Sequence, residues 1–320
     1  MVLMIAVILG VGFTFAVRYL AAANEARAEA EFPPEGDFVD VGGTAVHYVQ
    51  RGTGPDVVLI HGAGGFTREF TFDFVDRLTD RYRVTVFDRP GLGYTERPRD
   101  FGVFSRDMET PREQARLLQD ASAALGVDRP IVLGHSFGGA VALAWALERP
   151  ESIAGIVMDG GVSNEWEGGV GGFYNNTAAP LGGALVVPML TAFATDAYIA
   201  NTIQAIFRPQ PVPEGYTDYI GARISARRET LRANGRQVHG LKPHIVEMVP
   251  HYGGIDIPVE IIHGDQDTIV PLDVHSIPLS KQIPGANLVV LEGVGHMPHH
   301  AAPDVVVAAI DRAAASAGLR

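Results

Sequence analysis

The sequence contains no cysteine among its 320 residues. Disulfides, thiol nucleophiles and cysteine metal sites are therefore excluded, although oxidising and reducing compartments both tolerate a chain without cysteine. Positive charge is also scarce, since 25 Lys and Arg face 37 Asp and Glu, for a formal charge of −12. Nucleic-acid binding requires clustered cations that neutralise phosphates, so we expect no nucleic-acid partner.

Charge is absent altogether from the first part of the chain, MVLMIAVILGVGFTFAV, and Arg18 ends this run. A helix needs about 20 apolar residues to span a bilayer. We predict a hydrophobic leader over residues 1–23 that anchors the protein in a membrane as a single helix. Arg18 and Arg27 favour the cytoplasmic side for the rest of the chain. The alternative is export after cleavage of a signal peptide at Ala21–Ala23, although the run lacks a basic n-region.

Residues 24–37, NEARAEAEFPPEGD, are charged and contain Pro33-Pro34. Proline cannot continue a helix, and the residue before it is restricted to extended backbone. We expect a short helix that runs into an extended linker, and a globular domain that begins near Phe38.

Short apolar runs alternate with helical patterns from residue 38 onward. A hairpin signal at Gly42-Gly43 is followed by the strand patterns DVVLIHG, YRVTVFDRPG, RPIVLGHS, IAGIVMDGG, IPVEIIHGDQD and ANLVVLEGVGH, of which DVVLIHG is a continuous apolar run typical of a strand buried on both faces. One intervening helix carries its own start signals, with Thr110 as N-cap, Pro111 at the first position and Glu113 closing a capping box. The pattern predicts an α/β fold with a mostly parallel central sheet and helices on both faces.

Two helix predictions rest on weaker patterns. Phe70, Phe74 and Leu78 are spaced by fours and predict a helix over Thr67–Thr79. The segment YTDYIGARISARRETLRANG predicts one polar helix.

The alternation of strands and helices breaks between Val162 and Ile255. Apolar helical pieces and glycine clusters fill this interval. We therefore divide the domain into a core, residues 38–161 and 256–320, and a helical insertion, residues 162–255, which we expect to cover the carboxyl end of the sheet as a cap.

Ser136 lies in LGHSFGGA, at the end of a predicted buried strand and the start of a helix. This is the context that a G-x-S-x-G nucleophile turn requires. Gly134 and Gly138 are expected to let the strand and the helix pass where a Cβ would clash. The start of the helix also supplies N–H groups and partial positive charge near a developing oxyanion.

A serine hydroxyl needs a base to remove its proton. His296, in GVGHMPHH after the last strand, is the predicted base. His299 and His300 follow closely, and we expect at least one of them to be a surface residue.

The base needs an acid that fixes its tautomer. Asp267, in HGDQDTIVP, is the predicted acid and completes the chain order Ser, Asp, His. Asp159, in VMDGG, is the alternative position. Asp265 is expected to hold the loop through backbone N–H groups.

The oxyanion requires backbone donors, and two loops can supply them. Phe137, which follows the nucleophile, is the first candidate. Ala63 in HGAGG is the second, with Gly64 as its alternative. His61 is expected to be structural, bonding the loop backbone.

The motifs LIHGAGG, FDRPGLGYTERP, GHSFGGA, HGDQDTIVP and GHMPHHAAP, in this order, resemble the α/β-hydrolase superfamily. The closest subgroup is the set of serine esterases, haloperoxidase-like enzymes and carbon–carbon bond hydrolases with a helical cap. One departure is that His299, His300 and Ala301 stand where a carboxylate often follows GHxP. The resemblance implies a serine hydrolase that needs no cofactor.

We expect a carboxylic-ester hydrolase that forms an acyl-enzyme with a small ester or related acyl substrate. Related enzymes with an aspartate nucleophile are excluded by Ser136. A carbon–carbon bond hydrolase, with Arg223, Arg227 or Arg228 binding a substrate carboxylate, and a cofactor-free haloperoxidase-like enzyme are the catalytic alternatives. A ligand-binding protein that retains the triad is the alternative of another class.

We expect no metal, because the pair His299-His300 and the residues His239, His244 and His251 lack ligand spacing with carboxylates. The apolar piece GGALVVPMLTAFATDAYIANTIQAIF either lines an acyl pocket or packs the insertion onto the core. Phe193 and Phe207 are its candidate pocket residues.

Overall fold

The computed structural model describes residues 1–102 and 105–320, and an eight-stranded sheet lies at its centre. The strands are β1 Asp37–Val41, β2 Thr44–Arg51, β3 Asp56–Ile60, β4 Arg83–Phe87, β5 Ile131–His135, β6 Gly155–Asp159, β7 Val259–Gly264 and β8 Asn287–Leu291. Their order is β1-β2-β4-β3-β5-β6-β7-β8. β2 pairs antiparallel with β1 and β4, whereas the remaining pairs are parallel, which confirms the predicted sheet.

Helices cover both faces of this sheet. They are α1 Val2–Glu31, α2 Arg68–Thr71, α3 Pro111–Ala124, α4 Phe137–Glu148, α5 Gly171–Ala178, α6 Pro180–Phe193, α7 Asp196–Phe207, α8 Tyr216–Tyr219, α9 Arg228–Met248, α10 Ser276–Gln282, α11 Pro298–Ala301 and α12 Pro303–Ser316, with 3-10 turns at Val75–Arg77, Pro150–Ser152 and Val249–Gly254. α3 begins with the predicted capping box of Thr110 and Glu113.

Two apolar cores form because successive strand residues point to opposite faces. Val58 and Ile60 pack into the core that contains α3 and α4. Val57 and Leu59, on the same strand, pack into the core that contains α12. The central strands are buried along their whole length, as their continuous apolar runs predict.

The predicted helix Thr67–Thr79 is wrong in its extent. The structure has α2 over Arg68–Thr71 and a separate 3-10 turn at Val75–Arg77. Phe70, Phe74 and Leu78 are nevertheless all buried in one core. The spacing of these three side chains therefore reports a shared buried face, which two short turns satisfy as well as one helix.

The single polar helix predicted from YTDYIG to RANG is also wrong. α8 ends at Tyr219, and α9 begins at Arg228. Gly221 has φ +59° between them, and a Cβ there would lie 2.7 Å from the Phe32 ring. This left-handed position, closed by an aromatic ring, ends the helix.

α1 continues without a break through the boundary that we expected between leader and linker. It ends at Glu31, directly before the proline pair, as the sequence predicts. Val17, Ala21 and Ala28 are buried, and the Asn24 amide donates to the carbonyls of Thr191 and Ala192 at the end of α6. The second half of α1 is thus packed on the inserted segment, here defined as residues 162–255. Within the described part of the chain, α1 is long and apolar enough to cross a membrane.

Candidate active site

Ser136 occupies a sharp turn between β5 and α4. Its backbone has φ 53° and ψ −118°, and its hydroxyl does not cap the helix. A non-glycine residue in the positive-φ region is strained, and such strain gathers at functional sites. The turn leaves the hydroxyl available at the carboxyl end of a central parallel strand.

The glycines around Ser136 are required by close backbone contacts. A Cβ on Gly134 would lie 2.3 Å from the Gly138 oxygen, and one on Gly138 would lie 2.2 Å from the Ile60 oxygen. A Cβ on Gly62 would lie 2.9 Å from the Cβ of Ser136. The strand, the following helix and the loop after β3 therefore converge on the serine with no room for side chains.

Asp267 and His296 are brought together from the loops after β7 and β8. The Nδ1–H of His296 donates to Asp267 Oδ2 over 2.7 Å, which leaves Nε2 as the free basic nitrogen. Asp267 Oδ1 accepts from the N–H groups of Ile269 and Val270, each at 2.9 Å. Burial opposes ionisation, but hydrogen bonds from His263 and His296 hold the pKa of Asp267 well below its usual range. The carboxylate is thus fixed in its charged form.

The two alternative aspartates lie elsewhere. Asp265 Oδ1 accepts from the Gly293 N–H at 2.7 Å, in the loop-holding role predicted for it. Asp159 bonds His299, not His296.

The loop after β3 supplies the second set of backbone donors. The Gly64 N–H donates to Asn234 Oδ1 over 2.9 Å, so this donor is already engaged. Ala63, the preferred candidate, lines the same cavity as Ser136. His61 is structural as predicted, because its Nε2 accepts from the Arg89 N–H and its Nδ1–H donates to the Gly62 carbonyl. Burial and Arg89 lower the pKa of His61 to about 4, which keeps the ring neutral.

Arg89 holds this loop through hydrogen bonds. The sequence indicates Arg89 only as part of the FDRPG motif. The side chain is fully buried. Its guanidinium donates to the carbonyls of His61 at 3.0 Å and Gly62 at 2.8 Å, and it lies 4.2 Å from the centre of the Phe137 ring. Burial lowers its pKa to about 9. Arg89 therefore ties both predicted oxyanion loops to one rigid group.

His299 is buried, and His300 is half-buried with only 4% of its side chain exposed, which corrects the expectation of a surface histidine. His299 Nδ1 lies 2.5 Å from Asp159 Oδ2, and its Nε2 lies 3.1 Å from Glu69 Oε1. His300 Nε2 lies 2.8 Å from the same Glu69 oxygen, and Tyr216 donates to the other oxygen at 2.8 Å. α11 begins directly after His296 and turns both rings inward onto Glu69 of α2.

His299 is held as a cation by this arrangement. Burial opposes its charge, but Asp159 and Glu69 raise the pKa of His299 to about 9. Hydrogen bonds from the two histidines hold the pKa of Glu69 well below its usual range, against the effect of burial. His300 remains neutral, because burial and the His299 charge lower its pKa.

His135, which precedes Ser136, holds the backbone at His296. Its Nε2–H donates to the His296 carbonyl at 2.9 Å. Burial, together with His299 and His296, lowers the pKa of His135 to about 3, so the ring stays neutral. Its Nδ1 has no hydrogen-bond partner among the described residues.

Two side-chain groups have the residue types that bind a metal ion. They are Glu69, His299 and His300, and His135, Asp159 and His299. His299 bonds Asp159 and Glu69, and His300 bonds Glu69, at 2.5–3.1 Å, whereas the His135 Nε2–H donates to the His296 carbonyl. The structure thus brings carboxylates from remote parts of the chain to His299 and His300, which their spacing in the sequence does not indicate. Of the other histidines considered from the sequence, His239 bonds Asn175 and His244 contacts Glu247.

Ser136 and His296 line one cavity of about 400 Å³. The inserted segment forms its opposite wall with mostly apolar side chains: Phe173, Tyr174, Leu190, Ala194, Tyr198, Ile199, Ile203, Ile206, Phe207, Tyr216, Ile220, Ala222 and Leu231. Phe207 is thus a lining residue as proposed, whereas Phe193 lies outside and is 51% exposed. Among the described lining residues, Glu69 is the only acidic one, and none is Arg or Lys.

The arginines considered as carboxylate ligands face away from this cavity. Arg228 pairs with Glu25 and Arg227 with Glu29, both on α1. Arg223 pairs with Asp196. Arg227 and Arg228 therefore fasten α1 to the inserted segment, and Arg223 links the start of α7 to another part of the same segment.

The parallel sheet with a strained serine turn at the end of a central strand is the architecture of an α/β hydrolase. A model of the alpha/beta hydrolase family matches residues 57–309, and the chain belongs to this family.

Similar proteins differ in chemistry. The 2-hydroxymuconate semialdehyde hydrolase of Pseudomonas putida is 29% identical over 284 residues, 84% of this chain and 90% of that protein. Haloalkane dehalogenase 2 of Mycobacterium tuberculosis is 35% identical over 136 residues, so the match spans only 43% of that protein. A bacterial membrane phospholipase A shares the fold, with a TM-score of 0.64 and 21% identity, over 98% of this chain and 96% of its own.

Proposed function

We propose that the protein is a serine hydrolase of carboxylic esters, with Ser136 as nucleophile, His296 as base and Asp267 as the orienting acid. The observation that carries this proposal is the meeting of a strained serine and an aspartate-bound histidine at the wall of one apolar cavity. Such a pair, with the histidine held in one tautomer, is what activates a serine hydroxyl.

The reaction proceeds in two halves. Ser136 Oγ attacks the acyl carbonyl and passes its proton to His296 Nε2, which returns that proton to the departing alcohol. Water then gives a proton to His296 and attacks the acyl-enzyme, and the proton returns to Ser136 as the carboxylic acid leaves. The N–H groups of Phe137 and Ala63 stabilise the oxyanion in both halves, aided by the start of α4.

The cavity favours an uncharged, apolar acyl group. A carbon–carbon bond hydrolase of dienoic acids would need a cation for the substrate carboxylate, and the described lining offers neither Arg nor Lys. The charge of Glu69 would further repel an anionic substrate. This composition supports ester hydrolysis over the carbon–carbon alternative.

We also propose that α1 anchors the enzyme as a single membrane helix. Its first half is exposed and apolar, with Leu3, Leu9 and Phe15 at 79, 68 and 72% exposure. Its second half is fastened to the inserted segment by ion pairs of Glu25 and Glu29. This fastening supports a retained anchor over a cleaved signal. N-terminal sequencing of membrane-extracted protein tests it, and a start near Asn24 would contradict it.

Labelling of the full-length protein in detergent with a fluorophosphonate, followed by peptide mass spectrometry, tests the chemistry. We expect modification at Ser136, strong loss of labelling in His296→Ala and none in Ser136→Ala. Hydrolysis of a series of p-nitrophenyl esters then gives the acyl-chain preference. A folded protein that neither labels nor hydrolyses esters would favour a ligand-binding function.

A further inference from the structure

The surface of α5, α6 and α7 is unusually poor in charge. Residues 171–207 contain one charged side chain, Asp196, in 37 residues, whereas 19% of the whole chain is charged. A water-exposed helical surface normally carries polar and charged residues on its outer side. A segment of this composition would be expected to be buried.

The segment is exposed instead. On α6, Leu181, Leu185, Met189 and Phe193 are 71, 63, 44 and 51% exposed. They are spaced by fours and therefore share one side of the helix, with Val186 beside them. We call these five residues the α6 face. Exposed apolar patches of this kind mark a contact with another apolar surface.

α1 indicates which surface that is. Its Asn24 bonds the end of α6 at Thr191 and Ala192, and its Arg18 lines a groove together with Gly183 and Ala184 near the start of α6. The two helices thus run side by side in the same direction. The exposed apolar half of α1 ends at Val17, level with the start of α6. A bilayer crossed by α1 would have its boundary at that level, beside Leu181 and Leu185.

The cavity opens next to the same surface. Phe173 of α5 and Tyr198 of α7 line the cavity and are 40 and 52% exposed. Leu190 lines the cavity from α6, one residue from Met189 of the exposed face. An apolar path therefore connects the α6 face with the wall that contains Ser136.

We propose that the first part of the α6 face, Leu181 and Leu185, lies in the headgroup and acyl boundary of the lipid bilayer that α1 crosses. Phe193 lies 12 residues further along α6, about 18 Å from Leu181, and therefore points into water. Helices with an apolar side bind there by burying that side among acyl chains. The cavity then receives its ester from the membrane rather than from water. Substrate entry by this route rests on the proposed ester hydrolysis, whereas the position of the face does not.

The absence of cysteine makes the position directly measurable. Full-length Leu185→Cys and Phe193→Cys are spin-labelled and reconstituted into vesicles of phosphatidylethanolamine and phosphatidylglycerol. Collision rates with oxygen and with a nickel chelate then report depth. We expect oxygen-favoured values for Leu185→Cys and for Val7→Cys on α1. We expect nickel-favoured values for Phe193→Cys at the far end of α6 and for Ala123→Cys, which is exposed on α3 of the core.

The expected result is a membrane depth for Leu185 but not for Phe193. Nickel-favoured values at Leu185, with Val7 inserted, would overturn the proposal, and so would nickel-favoured values at Val7, because α1 would then not cross the bilayer. Strong dipolar broadening between Leu185 labels would also overturn it, because the face would then be covered by a second copy of the chain.

Kinetics separate this inference from the proposed function. Leu181→Asp/Leu185→Asp should lower kcat/KM for a long-chain ester dissolved in vesicles about tenfold or more, because both side chains would lose their burial among the acyl chains. It should leave hydrolysis of a water-soluble short-chain ester unchanged, as should the control Ala123→Asp. Equal rates of the variant and wild type on the vesicle ester would contradict the inference, whereas no hydrolysis of either ester by wild type would contradict the proposed function.

Discussion

Two histidine–aspartate pairs lie side by side in this protein, and only their surroundings differ. His296 bonds Asp267 at 2.7 Å, and His299, three residues later, bonds Asp159 at 2.5 Å. The His296 ring borders the cavity that contains Ser136, whereas the second nitrogen of His299 is taken by Glu69. A histidine can carry a proton between reactants only through a free nitrogen. The pairing with aspartate is therefore not sufficient to identify the base.

The charge state separates the two pairs as well. A pKa of about 9 keeps His299 protonated at neutral pH. A base that exchanges protons during turnover needs a pKa near the working pH. His299 is thus suited to neutralise Asp159 and Glu69 inside the protein, which agrees with our proposal of His296 as the proton carrier.

The largest expected effect contrasts the two histidines in activity. His296→Ala should lower kcat/KM on a soluble p-nitrophenyl ester about 10³-fold or more, because a serine without its base is a poor nucleophile. His299→Gln, assayed on the folded fraction, should remain within about tenfold of wild type. Circular dichroism confirms folding of each variant. Comparable losses in the two variants would refute the division of roles.

The next largest expected effect is on stability, and here the substitution of His299 should be the damaging one. His299→Gln leaves two buried carboxylates without their cation, and breaking a buried ion pair in this way costs about 3–5 kcal/mol. Urea unfolding of the variant should show that loss in the free energy of unfolding. His239→Gln, on the exposed side of α9, is the matched control and should change stability by less than about 0.5 kcal/mol. A His299→Gln variant as stable as the control would mean that the carboxylates are neutral.

The candidate site and the neighbouring His299–Asp159 pair differ in how far the sequence could predict them. Ser136, Asp267 and His296 each follow a strand of the parallel part of the sheet, and parallel strands bring their carboxyl ends to one edge. Strand periodicity and chain order were therefore enough to place them together. The proline pair and the capping box predicted helix boundaries equally well, because those signals act locally.

The second pair could not be predicted because its partners are remote. His299 and His300 lie in a polar-looking run, and nothing within several residues indicates that Glu69 will lie against both of them. The same limitation applies to Arg227 and Arg228, whose partners are on α1. Exposure and charge pairing depend on tertiary contacts, and a local sequence pattern carries no information about them.

A pH series tests the difference in unfolding free energy between wild type and His299→Gln more closely. The pKa of His299 is raised from an ordinary value of about 6.5 to about 9. The stabilisation from its charge is therefore fully present below the unfolded pKa and is lost as the pH rises through the folded pKa. Wild type should lose more unfolding free energy than His299→Gln between about pH 7 and pH 9.5, as measured by urea titrations in matched ionic strength. Parallel pH profiles of the two proteins would count against a charged His299.

The smallest effect comes from His300, which shares Glu69 with His299 but bonds no second carboxylate among the described residues. Its ring is neutral and packs among Phe72, Phe207 and Tyr216, so His300→Phe preserves the aromatic contacts and removes one hydrogen bond. Glu69 retains bonds from His299 and Tyr216, and the loss should be about 1 kcal/mol in urea unfolding, several-fold below that of His299→Gln. Equal losses of unfolding free energy in the two variants would mean that Glu69 needs both histidines to stay ionised. His299 would then not be the only cation that balances Glu69.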